Sequence, residues 1–263
     1  MNTRKIIFVL FRQVTLISLL GSIFGFVTPV KGQMDNLALN ELPVINEFVL
    51  NHIGENTNEY IEVFGAASTD YSALRILGLE GDASGNPGVI KQIIQVGTTN
   101  PQGFWSSGSM TNIFENGSLT LLLVESFSGI PGMDLDANDD GVLDITPWSQ
   151  IVDHVALSTG ESGAVLYSSV VLSPTFDRFN APPWGASRIP DGNNTGSVVD
   201  WMRNDFDLAG IPTFSGSPIA GEAYNTPAKP NLAVPVINEF VINHLGADNH
   251  EYIEIFGGPS ADY

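Results

Sequence analysis

No cysteine occurs anywhere in the 263 residues, which excludes disulfides, thiolate metal sites and a thiol nucleophile. Positive charge is scarce: ten Lys and Arg stand against 29 Asp and Glu, a formal net charge of −19. Such a chain lacks the clustered Lys and Arg that hold a phosphate backbone, so nucleic acid is not expected as a ligand. Acidity of this kind favours solubility and divalent cations instead. Beyond the N-terminal segment no long, capped stretch carries a 3.6-residue apolar period, so helices should be few and short. Catalytic signatures are missing too: no Gly-x-Ser-x-Gly elbow, no His-Glu-x-x-His and no phosphate-cradling glycine loop. Asp153 and His154 are adjacent, which on a strand sends them to opposite faces. No acid–base pair stands out, and the expectation is a protein that is not an enzyme.

What the N-terminus does hold is a basic start (Arg4, Lys5, Arg12), an apolar stretch from Val14 to Val27, and a small residue at Gly32. That layout predicts a secretory signal peptide over residues 1–32, cleaved near Gly32–Gln33. The apolar stretch is shorter than the roughly 20 residues that span a bilayer, so no membrane attachment is expected after cleavage. The mature chain keeps six basic residues against 29 acidic ones, a net charge of −23. Its apolar content of 43% still supplies a sizeable core.

The chain also repeats itself. Residues 43–71 return as 235–263 at a constant offset of 192, with 19 of the 29 positions identical. Self-similarity of this kind marks a modular array. The expected organisation is a signal peptide (1–32), a linker (33–42), one complete unit (43–231) and an incomplete second one (232–263). An incomplete unit cannot bury its apolar faces alone.

Within the complete unit, Val44–Asn51, Glu59–Phe64, Ala73–Glu80, Val89–Val96, Leu119–Glu125, Ile151–Leu157 and Ala164–Val171 are rich in Val, Ile, Leu, Phe and Tyr. Gly, Asn, Asp, Ser and Pro clusters separate them. The pattern predicts an all-β fold, and a sandwich over a barrel. On the second strand Glu59, Ile61 and Val63 share one face, and Tyr60, Glu62 and Phe64 the other. Each Glu is expected to sit at a sheet margin or to accept backbone N–H bonds. A carboxylate cluster of Glu47, Glu59 and Glu62, forming a metal-dependent hydrolase, is a weaker alternative.

The sharpest candidate site is acidic. Asp134 is followed by Asp136, Asn138, Asp140, Gly141, Val142 and Asp144. With Asp136 as position 1, oxygen-bearing side chains fall at 1, 3, 5 and 9, Gly at 6, and the Val142 carbonyl adds a ligand at 7. That spacing turns hard oxygens inward around calcium. Position 12, a bidentate Glu in a helix–loop–helix hand, is Pro147, so the expectation is a structural calcium loop and not a sensor.

Two sets of residues carry a family likeness. Val44–Phe48, Asn51, Gly54 and Glu59–Phe64 resemble the opening of the lamin tail domain. Gly185–Gly192, Asp200–Trp201 and Asn225–Asn231 resemble its closing pattern. The likeness covers residues 43–231 once and the opening strands again; residues 97–185 form a long insert relative to a minimal domain. What it implies is an immunoglobulin-like β-sandwich in a secreted, multi-domain bacterial protein, where such domains bind, adhere or position a neighbour. The expected partners are neighbouring domains of the same polypeptide and an extracellular protein or polysaccharide. An alternative is the leading part of an exported nuclease or phosphatase with its catalytic domain beyond Tyr263.

Overall fold

The computed structural model describes residues 42–243, 245 and 250–256; the predicted signal peptide and nearly all of the linker lie outside them. Ten strands build two five-stranded sheets. The first sheet joins β10 (Trp201–Arg203), β9 (Gly185–Arg188), β1 (Val44–Val49), β2 (Tyr60–Phe64) and β5 (Phe104–Ser106), in that spatial order. The second joins β4 (Ile90–Gln95), β3 (Leu74–Glu80), β6 (Leu119–Glu125), β7 (Gln150–Leu157) and β8 (Val171–Leu172). Every pairing is antiparallel except β7 with β8. The fold is all-β, two sheets packed as a sandwich, and the one helical element among the described residues is a 3₁₀ turn at Val198–Asp200.

The main core fills the space between the sheets. Ile45, Phe48, Ile61, Val63, Ala186 and Trp201 from the first sheet meet Leu74, Ile76, Leu119, Leu121, Leu123, Val155 and Leu157 from the second. Both outer faces are covered as well. Residues 127–148 lay Phe127, Met133, Leu135, Leu143 and Trp148 over Leu77, Leu79, Leu122 and Val124 of the second sheet. Residues 208–214 lay Leu208, Ile211 and Phe214 over Val49 and Tyr60 of the first. This is why β1, β3 and β6 do not alternate cleanly: a strand covered on both faces has no solvent side to make polar. Residues 97–185 carry β5 to β8, of which β6 and β7 lie inside the second sheet.

The predicted strand at 164–171 forms a ladder only at its last residue, Val171. Its N–H groups go singly to scattered partners: Val165 donates to the Gly81 carbonyl and Tyr167 to the Thr120 hydroxyl. The segment crosses the sheet edge instead of running along it.

One buried cation ties the sheets together. Arg188 on β9 is almost fully buried and donates two bonds to Asp153 on β7 across the core, at 3.1 and 3.0 Å. It also donates to the Ile45 and Asn193 carbonyls and lies 3.5 Å from Asp200. Its guanidinium stacks 4.4 Å from the Trp201 ring. Asp153 in turn accepts the Ile45 N–H at 2.8 Å. A buried charge is tolerated only when paired and hydrogen-bonded, and here every direction of the fork finds an acceptor. The turn that follows β9 uses Pro190 and Gly192, closed by the Asn193 N–H on the Pro190 carbonyl. Gly192 sits at φ +72 against the Phe64 ring, where a side chain would collide.

After the sandwich, β11 (Val236–Val241) and β12 (Tyr252–Phe256) form a separate two-stranded sheet. Its register copies β1–β2 pair for pair at the 192-residue offset. Val44 faces Phe64 as Val236 faces Phe256, and both hairpins carry a bulge between the Ile and Glu of Val-Ile-Asn-Glu. The repeat seen in the sequence is therefore also a repeat of backbone geometry.

Candidate functional site

The β1 bulge decides what reaches the outer face of the first sheet. Two residues of β1, Asn46 and Glu47, stand where the regular ladder would place one. Glu47 and Asn46 join Glu62 there, beneath the closing segment 204–231. The Glu47 carboxylate accepts bonds from the Ser187 hydroxyl, the Asn204 amide and the Thr226 N–H. Asn46 donates to Glu62 and to Asp191, both at 2.9 Å. Glu62 also accepts the Ala228 N–H. Asn231 donates to the Asn46 and Arg188 carbonyls, and its own N–H goes to Asp191. The opening motif and the closing motif, up to 185 residues apart in the chain, thus close on each other through one buried polar network.

Its electrostatics follow from burial. Glu47, Glu62 and Asp191 face no Lys or Arg in any of these bonds. Desolvation lifts the Glu47 carboxyl to about 7, although the Thr226 N–H and neighbouring side chains oppose the rise. Burial and then the charge of Glu47 push Glu62 well above the usual range. Asp191 is raised too, again by burial, and the buried Tyr60 phenol is raised by burial and the Glu47 charge. Burial thus shifts each of these carboxyls toward its protonated form.

Glu59 does not join it. On the opposite face of the chain it accepts the Ile113 and Phe114 N–H groups, and burial raises its pKa. The weaker reading of a Glu47/Glu59/Glu62 hydrolase site therefore fails: strand alternation separates Glu59 from the other two. The backbone-acceptor role expected of Glu59 and Glu62 is what both perform, and Glu47 performs it as well. Glu59 lies at the margin, just before β2 and bridged to Met110, and all three are fully buried.

The acidic loop lies in the covering of the second sheet, the lower face of which is apolar (Leu135, Leu143). Asp134 accepts the Asp136 N–H and the Asn86 amide. Asp136 is buried and accepts from Asp140 N–H at 3.2 Å, Gly141 N–H at 2.9 Å and the Tyr167 hydroxyl at 2.9 Å. Burial opposes its ionisation, but Tyr167 and the loop N–H groups outweigh that and hold its pKa below the usual value. Asn138 donates to Asp140 at 3.0 Å, Asp140 accepts the Val142 N–H, and Asp144 accepts the Ala137 N–H. Gly141 at φ +83 and Asp139 at φ +55 make the tight turn. The residues from Asp134 to Asp144 are thus brought together, with their oxygens turned onto the loop's own N–H groups. No three His, Asp or Glu side chains among the described residues are arranged as a metal-ligand set. Tyr167, which the sequence gave no reason to connect with Asp136, is the partner that anchors the loop to the sheet.

His154 bonds Ser168 at 2.8 Å while Asp153 points to Arg188 on the other face, so the two make no catalytic pair. Open clefts occur among the described residues. One of about 380 Å³ is lined by Asn51, Glu55, Asn56, Thr57, Asn112 and Asn116. The other, about 260 Å³, is lined by Pro182, Pro183, Trp184, Arg203, Phe206 and Glu222. Arg203 is engaged by Asp177 and stacks over Phe176 and Phe179. Amides, hydroxyls and aromatic faces are groups that bind.

No family model matches the chain, and neither a curated protein nor a solved structure resembles it.

Proposed function

We propose that this is a secreted, non-catalytic binding and positioning module of a larger extracellular protein, of the lamin tail type. The observation that carries the reading is the polar network joining Asn46, Glu47 and Glu62 to Thr226, Ala228 and Asn231. It engages Glu47 and Glu62 in holding one unit closed, and the first open cleft is lined mainly by amides and hydroxyls. The Asn-lined cleft suits a hydroxyl-rich ligand, because each amide offers both a donor and an acceptor. The test is a glycan array probed with the protein and with Asn56→Ala/Asn112→Ala. Retention lost in the variant supports the reading, whereas turnover of phosphoesters or glycosides by the purified protein overturns it.

Calcium belongs to the proposal as a structural ion at Asp134, Asp136, Asn138, Asp140, the Val142 carbonyl and Asp144. The spacing of these groups supports it. The loop already closes on its own N–H groups, so calcium would have to displace the Asn138–Asp140 bond and would add to the turn without creating it. Millimolar calcium should raise the melting temperature by mass action, and Asp136→Ala/Asp140→Ala should abolish that rise. No shift in the parent protein removes calcium from the proposal.

A further inference from the structure

We propose that Asn116 is a self-modifying position: the Gly117 nitrogen attacks the Asn116 side-chain amide, expels ammonia and, after hydrolysis, leaves an aspartyl or isoaspartyl residue in the wall of the Asn-lined cleft. Asn116–Gly117 is the one Asn–Gly pair in the 263 residues. The pair has a structural cause. A Cβ on Gly117 would collide with the Asp82 carboxylate, which accepts the Ser118 N–H at 2.6 Å. Packing therefore calls for glycine after Asn116. Glycine is also the residue that shields its own nitrogen least and whose backbone turns most freely.

Four asparagines line the cleft: Asn51, Asn56, Asn112 and Asn116. Ring closure on such a side chain uses the nitrogen of the residue that follows it. After Asn56 and Asn112 that nitrogen is engaged: the Thr57 N–H bonds the Glu55 carbonyl at 2.7 Å, and the Ile113 N–H bonds the Glu59 carboxylate. Thr57 and Ile113 are β-branched besides, which crowds the approach. The Gly117 N–H has no acceptor among the described residues. Asn116 is exposed, and its Oδ1 accepts the Asn56 amide at 3.0 Å. That bond draws electron density from the carbonyl and makes Cγ the better electrophile. Nucleophile and electrophile sit on adjacent residues, so the reaction is intramolecular.

The step balances with water as the one co-reactant. A bond forms between the Gly117 nitrogen and Asn116 Cγ, the Cγ–Nδ2 bond breaks, and the Gly117 proton leaves with Nδ2 as ammonia. Water then opens the cyclic imide at either carbonyl. Opening at Cγ returns the ordinary backbone with an aspartate; opening at the backbone carbonyl routes the chain through the side chain. Nothing is oxidised or reduced. The loop that takes this change is pinned on both sides. The Phe114 N–H bonds Glu59 at 3.0 Å, Glu115 pairs with Lys91 at 2.9 Å, and the Ser118 N–H bonds Asp82. An isoaspartyl link adds one methylene to the backbone between these anchors, and either product adds a carboxylate to a cleft that already holds Glu55.

The test is peptide mapping of the full-length chain, kept folded in mildly alkaline buffer because the deprotonated nitrogen is the attacking form, with a parallel sample in urea. The peptide containing Phe114–Ser118 is expected to gain the mass difference between an amide and an acid, part of it isoaspartyl by fragmentation. Peptides holding Asn56 and Asn112 should stay intact over the same period. On ion exchange the chain should acquire a more acidic form, which Asn116→Gln, closing a larger ring far more slowly, should lack. Conversion of Asn116 in urea alone, or no faster than that of Asn56 and Asn112 in the folded chain, overturns the proposal. An acidic form of equal yield from Asn116→Gln overturns it too, since the charge would then arise elsewhere. Mass and charge are read directly, so the outcome is independent of whether the cleft binds a glycan.

Discussion

The hairpins β1–β2 and β11–β12 are a controlled comparison within one molecule. Sequence, register and bulge are shared, yet Phe48 is buried against Trp201 at 5.5 Å while Phe240 is exposed. The local sequence therefore writes the hairpin, including its bulge, without help from a second sheet. What a second sheet and a closing segment add is burial, and with burial come altered acidity and most of the stabilisation.

The comparison breaks most visibly at the phenylalanines. In solution dilute enough that copies do not meet, Phe48→Ala should cost about 3–5 kcal/mol. Phe240→Ala should stay within about 0.5 kcal/mol, as an exposed change does. Denaturant melts of the two variants check this, and equal losses would mean that β11–β12 is docked.

The acidic pair comes next. A carboxyl whose pKa is raised on folding binds more protons folded than unfolded, so its contribution is present below the unfolded value and lost as pH rises through the folded one. For Glu47 that window runs from about 4.5 to about 7, and Glu62 and Asp191 pull in the same direction. Stability should therefore fall by a few kcal/mol between pH 4.5 and 7, a fall that Glu47→Gln reduces. Glu239→Gln changes an exposed side chain and should alter stability by no more than about 0.5 kcal/mol. Melting temperatures across this range, with the other carboxylates as a common background, measure the difference.

Asn231→Ala tests the closing segment itself. It leaves the Asn46 and Arg188 carbonyls without their side-chain donor, at a cost of about 1–3 kcal/mol, and hydrogen exchange should quicken in β1 and leave β11 as it was. The smallest effect belongs to Tyr252→Phe, which removes a bond of 2.6 Å to Glu239 on the exposed hairpin. It should change stability by no more than about 0.5 kcal/mol.

How far the fold was legible follows from the same contrast. β1, β2, β3, β4, β6 and β7 announce themselves through runs of β-branched and aromatic residues between turn clusters, and all six form within a residue or two of expectation. β5 has only Phe104, Trp105 and Ser106, too short to register as a period. The double cover of the sheets is invisible locally, because Leu208 and Ile211 gain their meaning only from Val49 and Tyr60, some 150 residues earlier. The site divides in the same way. The acidic loop is readable because its residues interact within an eleven-residue span. The network around Glu47 is not, because Thr226 lies 179 residues away and no spacing rule reaches that far.

The constant offset between the hairpins also governs how such a chain can change length. A crossover between the stretch coding for Val44–Phe64 and that coding for Val236–Phe256, at matched positions, removes or adds 192 residues at a stroke. The hybrid hairpin it leaves behind keeps every cross-strand partner and the bulge, whichever parent supplies each half. Lengthening or shortening by whole units thus needs no repair of the joint, whereas a break anywhere between Gly65 and Trp184 would part β1 from β9 and undo the first sheet. Heredity can lengthen this molecule by a whole unit where its hairpin is written twice.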